Sequence, residues 1–190
     1  MKTKEFDMLA RKLFGEVLAS HGFSQERSMH CTFYRQVSDD IYHFVMPDLG
    51  TRGMWFDVKI FPSSPRIDPG FVARFPDALG LPTDIYSYLN KWTGIGSEQQ
   101  SFNCESAQQL REVFEAEVKP LLVSKGLPYL DRIKSVADML PLIRHKLFLG
   151  FALNHVGDLV AARSVMEAER ARLEKLRQAN PSNRDIDKNR

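Results

Sequence analysis

The sequence predicts an α+β protein, with an N-terminal helix packed on an antiparallel sheet of three or more strands and a helical C-terminal half. Three observations carry this prediction. Apolar residues recur at helical spacing near the start of the chain. Residues 31–61 hold three runs rich in β-branched and aromatic side chains. From about residue 105 the apolar spacing becomes helical again and stays so.

Phe6, Leu9, Leu13 and Val17 form the first stripe, widened by Ala10, Phe14 and Leu18. The spacing predicts a helix over 4–21, with Thr3 as N-cap and Gly22 in the left-handed position past its end. Residues 31–37 and 41–46 flank Ser38-Asp39-Asp40 and read as an antiparallel hairpin. A third run, 54–61, alternates between Met54, Phe56, Val58, Ile60 and Trp55, Asp57, Lys59, Phe61, so one of its faces is buried. Residues 62–82 hold five prolines and read as a meandering loop with a short strand or turn near 71–75. A short helix capped by Thr83 is expected over 83–93, and a strand near 101–104.

Ser106 followed by Gln109 is a capping-box pattern. It starts a helix through Leu110, Val113, Phe114 and Val118 to Leu122, which Pro120 should kink or break and Gly126-Leu127-Pro128 should end. Another helical stretch starts near Tyr129, and Pro141 restarts the chain. Helices are expected over 142–155 and on to Gln178, turned at Gly157-Asp158 and stopped by Asn180-Pro181. The expected organisation is an α+β domain over 1–126, a helical extension packed on it over 127–180, and a flexible tail over 181–190.

Composition bounds the function. The chain is 43% hydrophobic and 26% charged with a net charge of +2, so no global field points to nucleic acid or a membrane. Residues 38–110 carry nine acids and five bases, and residues 141–190 carry ten bases and six acids. The basic stretch reads as a solvated helix face. The two cysteines, Cys31 and Cys104, are too few and too far apart for a metal cluster or a disulfide framework. The start of the chain is charged throughout, unlike a signal peptide, and no apolar run approaches the roughly 18 residues of a membrane span. A cytoplasmic protein with reduced thiols and no cofactor or metal is expected.

The order of helix, Gly22-Phe23, Phe33-Tyr34-Arg35, Phe56-Asp57-Val58, Trp92 and Leu127-Pro128-Tyr129-Leu130-Asp131 resembles the DUF4304 family of bacterial proteins. The resemblance covers about residues 3–140 and implies a fold without an activity. Separately, residues 149–168 are similar to one tetratricopeptide helical hairpin, with Leu149, Gly150, Ala152, Gly157-Asp158 and Ala162 at the small and turn positions. Glu169 stands where that pattern has a small residue. One such unit cannot bury its own face, so it is expected to pack on the rest of the chain.

Arg35, His43 and Asp57 are the candidate ligand- or anion-binding residues, able to do acid–base work if they converge. Their geometry depends on the turn. A three-residue loop, 38–40, pairs Arg35 with His43. A two-residue loop, Asp39-Asp40, pairs Arg35 with Phe44. The competing interpretation, a cross-strand ion pair on a half-exposed sheet, carries more weight because no nucleophile or Gly-rich loop accompanies the trio. His30 and Cys31 are adjacent and point to opposite faces. His21 complements the end of the first helix. His145 and His155 are too far apart to share a metal. Cys104 reads as a possible exposed thiol. Trp55, Trp92, Tyr86 and Tyr88 are candidate interface residues. No catalytic residue is assigned, and the balance is against an enzyme. The expected function is a protein-binding module of immunity or regulatory type with a protein partner, and the alternative is a ligand binder or enzyme with an Arg35/His43/Asp57 cleft. Nucleic-acid binding is not expected.

Overall fold

The computed structural model describes residues 1–26, 31–50, 52–67, 87–88 and 101–179. Helix α1 spans Thr3–Ala19 and buries Phe6, Leu9, Ala10, Phe14 and Leu18. Lys2, not Thr3, holds its N-cap position, and no side chain caps it. Gly22 has φ +78° with open space around its Cα, so the backbone conformation itself calls for glycine there.

Strands β1 (Ser24–Glu26), β2 (Thr32–Ser38), β3 (Ile41–Leu49), β4 (Trp55–Ser63) and β5 (Ser87–Tyr88) follow one another across an antiparallel sheet. β6 (Phe102–Asn103) also pairs with β4, beside Trp55 and Phe56. Two prolines lie inside strands, Pro47 in β3 and Pro62 in β4. Among the described residues the pairing of β3 with β2 ends at Phe33 and Val45, short of Pro47, where a missing N–H is tolerated. β4 runs past Pro62, which lies opposite His43, to Ser63, into residues that the proline content had placed in a loop.

One face of the sheet carries Phe33, Val45, Phe56, Val58 and Ile60 against α1 and a second long helix. Phe14 meets Phe114 edge-on at 4.9 Å, and Phe6 meets Phe56 at 5.5 Å. Each such ring contributes roughly 1.5–3 kcal/mol by leaving water.

The second helix, α2, is one rod over residues 107–131. Ser106 caps it by accepting from the Gln109 N–H, while the Gln109 side chain accepts from the Glu105 N–H. Pro120 neither breaks it nor ends it, and neither does Pro128. A proline offers no N–H, and its ring crowds the carbonyl four residues back. Just ahead of each proline the helix widens into a π-type turn, Phe114–Val118 and Leu122–Gly126. The wider turns admit the rings without ending the helix. The expected boundary at 126/127 thus falls inside a continuous rod whose Leu127 and Leu130 still belong to the main core.

After α2 the chain does not continue helically through Ile133, as the spacing predicts. It turns and restarts at α3 (Val136–Met139), where Ser135 and Asp138 form a reciprocal capping box. A tight turn at Leu140–Leu142 accommodates Pro141. Helices α4 (Lys146–His155) and α5 (Leu159–Ala179) form a hairpin around Gly157, at φ +87°. A second core of Ile41, Ile67, Ile133, Val136, Met139, Ile143 and Ala152 seats α4 near the β2–β3 turn. No helix of the described residues is long and apolar enough to cross a membrane.

The proline-rich meander beyond residue 67, His30, Tyr86, Trp92 and the 181–190 tail lie outside the described residues. Of the helix expected over 83–93, Ser87 and Tyr88 are described, and they pair as strand with Ile60 and Lys59.

Candidate functional site

The β2–β3 hairpin closes by a route that combines both expected registers. Ser38 pairs with Ile41, so the turn has two residues, Asp39-Asp40. The register then shifts, leaving Val37 as an extra residue, and resumes with Gln36 opposite Tyr42 and Arg35 opposite His43. No described non-glycine residue has positive φ, so this turn is not one of the primed types that match strand twist. A β-bulge at Val37 supplies the added twist. Arg35 and His43 therefore face each other from a two-residue turn, where a three-residue loop was expected to be necessary.

His43 is fully buried. Its Nε2 lies 2.7 Å from the Ile133 carbonyl oxygen. A carbonyl only accepts, so Nε2 carries the proton and Nδ1 presents its lone pair. Arg35 donates to that lone pair from Nε at 3.3 Å and from Nη2 at 3.1 Å. Arg35 Nη1 donates to the His21 carbonyl at 3.1 Å, and Nη2 also pairs with the Asp131 carboxylate. The guanidinium lies 4.7 Å from the centre of the Phe23 ring. Burial pushes the His43 imidazole down to about 4, and the Arg35 cation adds to that, while the bond to Ile133 opposes it. His43 is neutral at pH 7 with both ring nitrogens engaged. The arrangement joins sheet, α1 and α2, and leaves His43 no solvent-facing nitrogen for acid–base work.

The groove beside this cluster has a volume of about 450 Å³ and is lined by Arg35, Gln36, Val37, His43, Asp131 and Lys134. Asp57 is not part of it. Asp57 pairs with Asp48, and His43 pairs with Pro62, five residues further along β4. An odd number of steps along a strand reverses the side, so Asp57 faces away from Arg35 and His43. It accepts from the Ser101 hydroxyl at 2.7 Å, and burial raises its carboxyl above the usual range. Asp48 is held by Lys59 at 2.8 Å.

Asp131 supplies the carboxylate that Asp57 does not. Nothing in local spacing links it to Arg35. The available signal was an acid at the C-terminal end of a helix, where the dipole disfavours it and a cation is needed. The turn is tied down separately. Asp40 accepts from Arg66 Nε at 2.7 Å and lies 3.4 Å from His155 Nε2. The Arg66 bond holds its carboxyl below the usual range.

Both cysteines are buried. Burial raises Cys31 to about 12 and Cys104 to about 11, so Cys104 is not the exposed thiol expected. Among the described residues no group of three or more His, Cys, Asp or Glu is placed to hold a metal. Trp55 is half-buried, with its ring so close over Gly50 that a Cβ there would come within 2.5 Å. Tyr88 is described only by its strand pairing with Lys59.

The α4–α5 hairpin has two further features. At its tip Val156, Leu159 and Val160 are 39%, 63% and 84% exposed. At its base Glu169 is buried and takes Arg172 in a two-pronged pair, at 2.7 and 2.6 Å. The Arg172 bonds hold the Glu169 carboxyl below the usual range, with His145 and Lys146 adding to them. The start of α4 has no side-chain cap, so this buried carboxylate offers its positive end an opposite charge across the hairpin.

Comparison of the chain with protein-family models, curated proteins and solved structures finds no match.

Proposed function

We propose that the chain is a protein-binding module of immunity or regulatory type, without enzymatic activity, that docks a partner protein through the tip of its α4–α5 hairpin. The observation that carries this reading is the exposure of Val160 at 84% beside Leu159 at 63%. An apolar pair that open to water favours a partner that covers it. Around the tip, residues 152–164 carry one acid, Asp158, and one base, Arg163, a net of zero. The fitting occupant is therefore a protein surface with an apolar centre and a polar rim without strong net charge. The likeness of 149–168 to a tetratricopeptide hairpin supports the same surface. The resemblance to DUF4304 and a cytoplasmic setting belong to this proposal. The engagement of Arg35 and His43 within the fold weighs against the alternative of a cleft that does chemistry.

The test places a photo-crosslinking side chain at Val160 of the full chain, identifies the captured protein and measures its binding once purified. The expected result is a dissociation constant of about 10 μM or tighter. Leu159→Glu with Val160→Glu should weaken it about tenfold or more, and Lys119→Gln on α2 should leave it unchanged. Binding indifferent to the tip substitutions overturns the proposal. So does capture of nucleic acid with a steep salt dependence.

A further inference from the structure

We infer that the base of the α4–α5 hairpin, away from the tip, binds a small molecule carrying a doubly charged phosphate. The cavity there has a volume of about 460 Å³ and is lined by Arg144, His145, Lys146, Arg172, Ser164 and Glu169, with Val165 and Ala168 completing the wall. Pockets for small ligands start at about 300 Å³, so this space holds a phosphate together with the molecule that bears it.

Charge chooses the ligand. Arg144, Lys146 and Arg172 bring three positive charges and Glu169 one negative, which leaves a net of +2 from these four. A phosphate dianion matches that balance, whereas a single carboxylate does not. The site also lies where α4 begins, at a ten-residue helix whose N-cap His145 makes no capping hydrogen bond. The first turn of a helix presents N–H groups without helical partners and the positive end of the dipole. The Glu169 carboxylate is kept ionised first by its bonds to Arg172, with the Lys146 charge adding to them. Ser164 lines the cavity with a hydroxyl able to donate to a phosphate oxygen, and Val165 and Ala168 give an apolar floor for the rest of the ligand.

The experiment is a titration of the full chain, labelled with nitrogen-15, with inorganic phosphate and then with glycerol phosphate. Sodium chloride at matched ionic strength is the control. Saturable shifts are expected at the amides of 146–149 and 164–172, with glycerol phosphate binding more tightly than inorganic phosphate. Arg144→Gln with Lys146→Gln should weaken binding about tenfold or more, and Lys146→Gln alone should weaken it by less. Glu169→Gln removes the competing negative charge and should tighten binding several-fold. Shifts that only follow ionic strength overturn the inference, as do saturable shifts that survive the double substitution. A Glu169→Gln protein that binds phosphate no better than the parent also overturns it.

Discussion

Asp131, the last residue of α2, is joined side chain to side chain with Arg35 in the middle of β2, 96 positions away in the chain. The contact places a carboxylate at the end of a helix where the dipole opposes it, and a guanidinium answers it. The same guanidinium covers the lone pair of His43. A single side chain thus ties the sheet to the helical layer through three partners, and its loss should cost more than the loss of any one of them.

Arg35→Met keeps the stem but leaves His43 Nδ1 buried without a donor. About 2–4 kcal/mol of stability should be lost. Asp131 is 56% exposed on its side chain, so Asp131→Asn should cost about 1 kcal/mol or less. Urea unfolding of both variants gives the comparison. An Asp131→Asn protein that loses as much stability as Arg35→Met would show that the ion pair, not the imidazole contact, holds the junction.

His43 makes the fold sensitive to mild acid. Its folded value lies near 4, below the ordinary 6.5 of the unfolded chain, so protonation favours unfolding. The stabilisation is complete above pH 6.5 and is lost as pH falls from there towards 4. The full loss is roughly 3 kcal/mol, at about 1.4 kcal/mol for each unit of separation. His43→Asn should flatten the stability curve between pH 6.5 and 5, before most carboxylates titrate. An imidazole resonance of His43 titrating near 6.5 in the folded protein would contradict the burial argument.

The fold class was legible because the apolar spacing changes from helical to alternating and back, and burial follows that pattern at Phe6, Phe14, Phe56, Val58 and Phe114. The candidate trio was legible only in part. Arg35 and His43 lie eight residues apart across one turn, where local chemistry limits the choices. Asp57 depends on the register of β3 against β4, and no turn residue between Leu49 and Trp55 reveals that Asp48 will face it. Asp131 comes from a helix that packs back over the sheet, a relation no local window contains. Pro120 did not break the helix and Pro128 did not end it for a related reason: the wide turns that admit them depend on a packed rod, not on propensity.

The bulge at Val37 can be tested by removing it. Deleting Val37 leaves Ser38 opposite Ile41, Gln36 opposite Tyr42 and Arg35 opposite His43 in one regular ladder. Arg35 and His43 should stay together, and stability should change by about 1 kcal/mol or less. Inserting a second residue beside Val37 instead forces the turn or the register to move. The low titration of His43, read by NMR, is the reporter. If the deletion raises it towards 6.5, the bulge itself, and not the register beyond it, keeps the imidazole covered.

Gly150 sets the approach of α4 to α5. A Cβ on Gly150 would come within 2.5 Å of Met166 Sδ and 2.8 Å of its Cγ. Alanine is the better helix former by about 1 kcal/mol, so on an open helix Gly150→Ala would stabilise. Here the clash opposes that gain, but it falls on the far end of the flexible, half-buried Met166 side chain, which can shift at less than the usual cost of overpacking, about 1–3 kcal/mol. Gly150→Ala should therefore change stability by about 1 kcal/mol or less, the small net of the two. Met166→Ala should lose stability alone by opening a void. Combined with Gly150→Ala it should lose less than the sum of the two single changes, because each relieves the defect of the other. A double-mutant cycle in thermal or urea unfolding measures the coupling. Additive effects would mean that Met166 swings clear, and that the helices are held at their distance by Ala152 and Ala162 instead.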